Sequence, residues 1–387
     1  MSGTIDSIVG NMFKLVPARW KQKAMEYMWD NHDLKMIEHF ARRYSVGLPK
    51  GERVGSIKLY MEKAQALMDE EYLVSFDTLG EKSKTIEAIE QKRQINFDMA
   101  DLAEERNMFD ATMQAIISGK RFPYAYGPTF SVKPSTFTLH YENDVRKPGT
   151  VEHFANFLFT FASRGHKNFG IDVDMEEPYS ISDTIRIFSN AKRVYKNIDI
   201  VHQTNVDRTE EDLASYFDSD IEDLGVRLCI GIYDTDDKTI WSGRDRFEHE
   251  NNRLTHIGTM NKKERKRRLV KYAKDLSKEG AYVKIATHDV DVIKHMEGWF
   301  NEQGISKDMY EFQGLYNVKP KGLEELHKQL IANKTRVRIY LPFAPTLDDA
   351  VFYGIRRACK NHQLLGTFSV GAVGYYAKKV LTLGMCK

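Results

Sequence analysis

Residues 169–203 read FGIDVDMEEPYSISDTIRIFSNAKRVYKNIDIVHQ, and this stretch decides the fold. It opens on alternating apolar residues that end at Asp174, passes through a stretch with apolar residues at helical spacing, and returns to a β-rich run ending at Gln203. Strand, helix and strand in that order form a βα unit with its crossover.

The same texture repeats outward in both directions from residue 72. Strands are expected near 72–77, 129–133, 169–174, 198–203, 226–232, 281–287, 309–313 and 336–341, with amphipathic stretches between them. Eight such units are the number that closes a parallel barrel, although a doubly wound open sheet shares the linear pattern. Polar residues favour closure. Asp77, Glu81, Lys133, Asp174, Gln203, Tyr233, Thr287, His288, Gln313 and Tyr340 all fall at or just beyond C-terminal strand ends, which ring one mouth in a barrel. The expected class is α/β, a (β/α)8 barrel of the TIM type over residues 71–387. Before it, residues 1–70 carry helical periodicity without strand signals and read as an N-terminal helical arm.

Composition narrows the function. The 387 residues suffice for one large core. A net charge of +2, from 57 basic and 55 acidic residues, supplies no global field for nucleic acid. Cys229, Cys359 and Cys386 are odd in number and widely spaced, which excludes a disulfide framework or a CxxC metal site and suits a reducing cytoplasm. No signal-peptide pattern opens the chain, and its longest apolar run, FANFLFTFA at 154–162, is far short of a membrane span. The basic segment at 260–280 reads as a solvated helix face or a contact for anionic lipid. Residues 234–258 read as a long polar loop, a lid or an insertion. His288 followed by Asp289 is too sparse for a metal site, so no metal is expected.

The segment RIYLPFAPTLDDAVFYGIRRACKN, residues 338–361, carries the most chemistry. Tyr340 leaves a strand, and Arg356 and Arg357 are adjacent on the following helix. Two planar guanidiniums side by side can grip a small carboxylate bidentately; an isolated pair also reads as ordinary surface charge. Glu81 reads either as an ion-pair partner or as a carboxylate stabilised by a helix N-terminus. His288 alone reads as a satisfied strand-end histidine.

Taken in order, SFDTLGE (75–81), SVKPS (131–135), IDVDMEE (171–177), HQTNVDRTEEDL (202–213), RLCIGIY (227–233), KIATHD (284–289), YEFQGLYNV (310–318), RIYLPF (338–343) and YGIRR (353–357) resemble the FAD-dependent proline dehydrogenase family in its monofunctional form. The resemblance implies a barrel with FAD across its mouth, oxidising L-proline to 1-pyrroline-5-carboxylate by hydride transfer to flavin N5. It implies Lys133, Arg356 and Arg357 on the substrate carboxylate, with Glu81 bracing Arg357. Asp174 is implied to bond Tyr340, and Tyr233 and Leu315 to line the ring pocket. Arg227 is implied beside N5, with Gln203, Cys229, Ile232, Thr287 and His288 on the cofactor; Lys133, Asp174, Arg227 and Tyr340 carry the catalytic assignment. Electrons are implied to pass to a membrane quinone, and the product to a separate 1-pyrroline-5-carboxylate dehydrogenase, since nothing after residue 361 suggests that second domain. A cytoplasmic protein, peripheral at the inner membrane, is the expected setting.

Ile230, Asp234, Asn317 and Lys360 depart from the family pattern. Three alternatives stay open: the same chemistry on hydroxyproline or pipecolate, a flavin barrel acting on folate, and an inactive barrel kept as a binding module.

Overall fold

The computed structural model describes residue 42 and residues 45–141, 146–165, 168–176, 180–219, 221–231, 262–351 and 353. Within these, eight parallel strands close into a barrel in sequence order: β1 (Leu73–Thr78), β2 (Thr129–Val132), β3 (Gly170–Val173), β4 (Ile198–Gln203), β5 (Gly225–Cys229), β6 (Tyr282–Ala286), β7 (Tyr310–Leu315) and β8 (Arg336–Phe343). All eight overlap the expected runs.

At two ends the difference from the sequence reading has a structural cause. β5 stops at Cys229 rather than running to residue 232, because Gly231 turns the chain at φ 91°, where an added Cβ would lie 1.8 Å from Asn205 Oδ1. β8 instead runs on to Phe343, through Pro342. Proline has no N–H to donate, yet its carbonyl still accepts from Val46 N at 2.7 Å, so the segment before the barrel extends the pairing.

Alternation within each strand separates two environments. Val74, Phe76, Phe130, Val132, Ile171, Val173, Ile200, Val226, Leu228, Val283, Ile285, Phe312, Val337 and Leu341 are buried in the hydrophobic core that the helices cover. Phe130 anchors one sector, with ring centroids 4.9 Å from Phe76, 5.0 Å from Phe161 and 4.6 Å from Phe169. The residues between these apolar ones are largely polar and face the interior.

The helices are α1 (Ile57–Asp69), α2 (Ile86–Glu105), α3 (Asp110–Ile117), α4 (Val151–Gly165), α5 (Ile181–Lys192), α6 (Thr209–Phe217), α7 (Lys262–Lys278), α8 (Val290–Glu302) and α9 (Leu323–Ala332). Side-chain caps set several starts: Ser56 accepts from Leu59 N, Thr85 from Ala88 N and Asp289 from Val292 N. The basic segment forms α7, whose buried residues include Leu269, Tyr272, Ala273 and Leu276.

α1, the described helix of the expected arm, buries Tyr60, Met61, Ala64 and Leu67. The Tyr60 hydroxyl donates to Leu341 O at 2.5 Å and accepts from Asp77 N at 3.3 Å, tying α1 to β8 and β1 at once. At the other end of the strands a 3-10 turn, Pro123–Tyr126, closes the floor, where Phe122, Tyr124, Ala125 and Tyr282 form a small separate cluster.

Candidate active site

The barrel interior is ionic, where branched apolar side chains usually fill such a core. Asp77, Asp172, Asp174, Asp199 and Glu311 are all buried, and so are Lys133, Lys192, Arg227, Lys284 and Arg338, so acids and bases are matched one for one. They rise in three tiers from floor to mouth.

At the floor, Arg338 grips Glu311 with Nε at 2.7 Å and Nη2 at 2.9 Å. Its remaining donors reach the carbonyls of Val74 at 3.0 Å, Gly127 at 2.8 Å and Ala125 at 3.0 Å. Tyr282 and Gln313 both donate to Glu311 at 2.6 Å. Burial works to raise the Glu311 carboxyl, but Arg338 overrides it and holds the group at about 2.

In the middle tier, Lys284 pairs with Asp172 and lies 2.7 Å from Asp199 Oδ2. Lys192, from the end of α5, and the Tyr124 hydroxyl reach the other Asp199 oxygen at 3.3 Å and 2.8 Å. Gly225 makes this possible: a Cβ there would sit 2.2 Å from Asp199 Oδ1. Burial raises the Asp172 carboxyl while Lys284 and Arg227 lower it, and the cations prevail.

The third tier forms the mouth. Asp174, at the exit of β3, accepts from Ser131 Oγ at 2.8 Å and from the Tyr340 hydroxyl at 3.3 Å, and it pairs with Arg227 Nη2. Arg227 also donates to Ser131 at 2.7 Å and lies under the Tyr340 ring, 5.3 Å from its centroid. Lys133, just past β2, donates to the Tyr340 hydroxyl at 2.9 Å, pairs with Asp77 and stands 3.7 Å from Asp174 Oδ2. Burial disfavours the Lys133 ammonium, yet Asp77 and Asp174 outweigh it and hold the amine above its ordinary value. Burial, with Asp174 and Asp77 beside it, raises the Tyr340 phenol well above its ordinary value. At neutral pH the lysine is therefore a cation and the phenol is neutral, with Asp77 and Asp174 beside them.

Strands β2, β3, β5 and β8 thus bring four of the sequence-selected residues together: Lys133, Asp174, Arg227 and Tyr340. Glu81 lies close enough to Lys133 to raise its amine electrostatically. Gln203 ends β4 and donates to the carbonyls of Met175 and Glu176, both at 3.1 Å. Cys229 ends β5 half-buried, and Thr287 follows β6. His288 Nε2 accepts from Leu315 N at 2.7 Å, so the histidine fixes the exit of β7. Leu315, opposite Tyr340 in the β7–β8 register, also lines a surface cavity with Lys63, Tyr72 and His327. Tyr233, Ile232, Arg356, Arg357 and the expected lid at 234–258 lie outside the described residues, except that the chain up to residue 231 is described.

Two participants escape sequence reasoning. Asp77 reads only as another polar strand end, although it is the carboxylate paired with Lys133. Ser131, buried between Asp174 and Arg227, carries no sequence signal beyond its place two residues before Lys133, on the same face of β2.

The donor set fits a flavin. A guanidinium at the mouth suits negative charge on a reduced ring, and the Thr287 hydroxyl suits its polar edge, whereas the Gln203 amide nitrogen is already held by two backbone carbonyls. Among the described residues, no group of histidine, cysteine and carboxylate side chains is arranged to hold a metal.

Fold and site together define a closed parallel barrel with a buried, charge-paired mouth walled by a tyrosine. A family model described as proline dehydrogenase matches residues 250–368. Proline dehydrogenase 2 of Bacillus subtilis (strain 168) is 25% identical over 193 residues, which are 49% of this chain and 54% of that protein. Proline dehydrogenase of Deinococcus radiodurans is 42% identical over 66 residues, 17% of this chain and 20% of that one. The chain thus spans about half the length of its Bacillus relatives in these matches. Among solved structures, proline utilization A (PutA) from Bdellovibrio bacteriovorus, inactivated by N-propargylglycine, is similar with a TM-score of 0.68 and 18% identity, over 95% of this chain and 39% of that chain. That likeness shows the barrel fold. The sequence matches are thus similarities to proline dehydrogenases over part of the chain.

Proposed function

We propose that this chain oxidises L-proline to 1-pyrroline-5-carboxylate, with FAD as the resident electron acceptor. The observation that carries the reading is the mouth cluster, in which Lys133 and Arg227 are held charged around the Tyr340 phenol while Asp174 ties them together. Lys133 would take the substrate carboxylate with Arg356 and Arg357, and Glu81 would brace Arg357 from the side. Tyr340, Tyr233 and Leu315 would wall the apolar ring, which offers a site little else to recognise.

When bound, FAD supplies the hydride acceptor, and Arg227, Gln203, Cys229, Ile232, Thr287 and His288 would hold it. Arg227 provides positive charge where the reduced ring gathers negative charge. Catalysis in this reading is chiefly positioning, because the clamped carboxylate fixes the substrate ring in a near-attack geometry. The amine proton goes to solvent in this reading; Lys133 and Tyr340, both protonated at neutral pH, do not accept it. Electrons then leave to a membrane quinone during a peripheral visit from the cytoplasm, and a separate 1-pyrroline-5-carboxylate dehydrogenase consumes the product.

The test is optical. Purified protein loaded with FAD should lose its visible flavin absorbance when L-proline is added without oxygen. A spectrum unmoved by proline but bleached by a reduced folate or another cyclic imino acid would replace the substrate; protein that binds no flavin would end the enzymatic reading. Arg356→Met should raise KM for L-proline at least about tenfold while flavin content stays constant. Equal loss of both would misplace the carboxylate socket.

A further inference from the structure

We propose that Asp77 is a positioning residue that holds the Lys133 ammonium in the orientation needed to take the substrate carboxylate. The proposal rests on the reading that this mouth binds an amino acid by its acid group.

Asp77 is 1% exposed, and one of its oxygens pairs with Lys133 while the other, Oδ2, has no hydrogen-bond partner among the described residues. Burying a carboxylate with one oxygen unpartnered is costly, and burial indeed pushes its carboxyl up despite the lysine and Tyr340 beside it. Glu311, by contrast, has both oxygens satisfied, by Arg338, Tyr282 and Gln313.

Geometry explains what Asp77 does instead. β1 lies between β2 and β8, so Asp77 stands between the strands that bring Lys133 and Tyr340. Its backbone is fixed from outside by Tyr60. A lysine ammonium has three donors on a flexible four-carbon stem. Asp77 and the Tyr340 oxygen take two of them, and Asp174 Oδ2 at 3.7 Å is too far to take the third as a hydrogen bond. That third N–H is left for a substrate oxygen. Asp174 does not substitute for Asp77, because its oxygens already serve Ser131, Arg227 and Tyr340.

A double-mutant cycle on the flavin-loaded protein tests the proposal. Asp77→Asn should raise KM for L-proline about tenfold with kcat changed much less and flavin content unchanged. In a Lys133→Met background the same substitution should change KM less than about twofold. Equal effects in both backgrounds, or none in either, would overturn the proposal. Lys133 acetylation by acetic anhydride at pH 9, followed by peptide mass spectrometry, needs no turnover and so separates failure here from failure of the proline reading. Asp77→Asn should label Lys133 at least about tenfold faster than the wild type, and an unchanged rate would remove Asp77's hold on the amine. Should Asp77→Asn not fold by circular dichroism, Asp77→Ser gives the same two readouts.

Discussion

The Tyr340 hydroxyl stands between a cation and an anion, accepting from Lys133 at 2.9 Å and donating to Asp174 at 3.3 Å, while its ring covers Arg227. One side chain therefore sets the separation of the charges at the mouth. Tyr340→Phe keeps the ring over Arg227 and removes only the hydroxyl. It should raise KM for L-proline about tenfold in steady-state assays while the thermal midpoint moves by a few degrees at most. A collapse of the midpoint with no change in KM would make the hydroxyl a packing group. Sequence alone exposes part of this cluster. Lys133, Asp174 and Tyr340 are conspicuous as polar residues leaving apolar strands, whereas the partner of Lys133 is not, because Asp77 lies 56 residues away and only the strand register brings the two together.

At the scale of the element, the strands are legible because alternation and β-branched content mark them, and every expected run overlaps an observed strand. What alternation leaves open is the polarity of the inward face. Arg338 in RVRIYL and Glu311 in MYEFQ share the faces of Tyr340 and Gln313, and both are fully buried and locked together across β7 and β8. Such a pair contributes through its completeness: removing one member strands the other in a dry interior. Arg338→Met should cost about 3–5 kcal/mol in denaturant unfolding. Glu311→Gln combined with Arg338→Met should recover part of that loss, and strict additivity of the two would show that they act independently. Helix α1 was legible as a helix but not as a clasp, since nothing in its spacing announces that Tyr60 reaches both Leu341 and Asp77.

For the whole molecule, the balance of internal charge makes acid the natural denaturant. Burial, reinforced by Arg208, pushes the His202 imidazole down to about 3, and burial pushes His327 down to about 4 against the pull of Glu324. In the unfolded chain both titrate near about 6.5, so below that pH the unfolded state takes up protons that the native state refuses. Their contribution is complete above pH 6.5 and declines as pH falls toward about 3, by up to about 1.4 kcal/mol per pH unit for each histidine. Glu311 acts in a lower window: its stabilisation is present above the ordinary glutamate value and is lost as pH falls toward about 2. The unfolding midpoint should therefore drop between pH 6.5 and 4, and His327→Asn should flatten that slope. An equally steep slope in the variant would assign the acid sensitivity elsewhere.

Closure of the barrel joins Val74 to Arg338 across 264 residues. β1 can meet β8 only after β8 has left the ribosome, so any part of the sheet that pairs earlier has its future lumen open to water. Carboxylates, ammoniums and guanidiniums line that lumen, so the half-made protein offers its surroundings a hydrated face in place of an adhesive one.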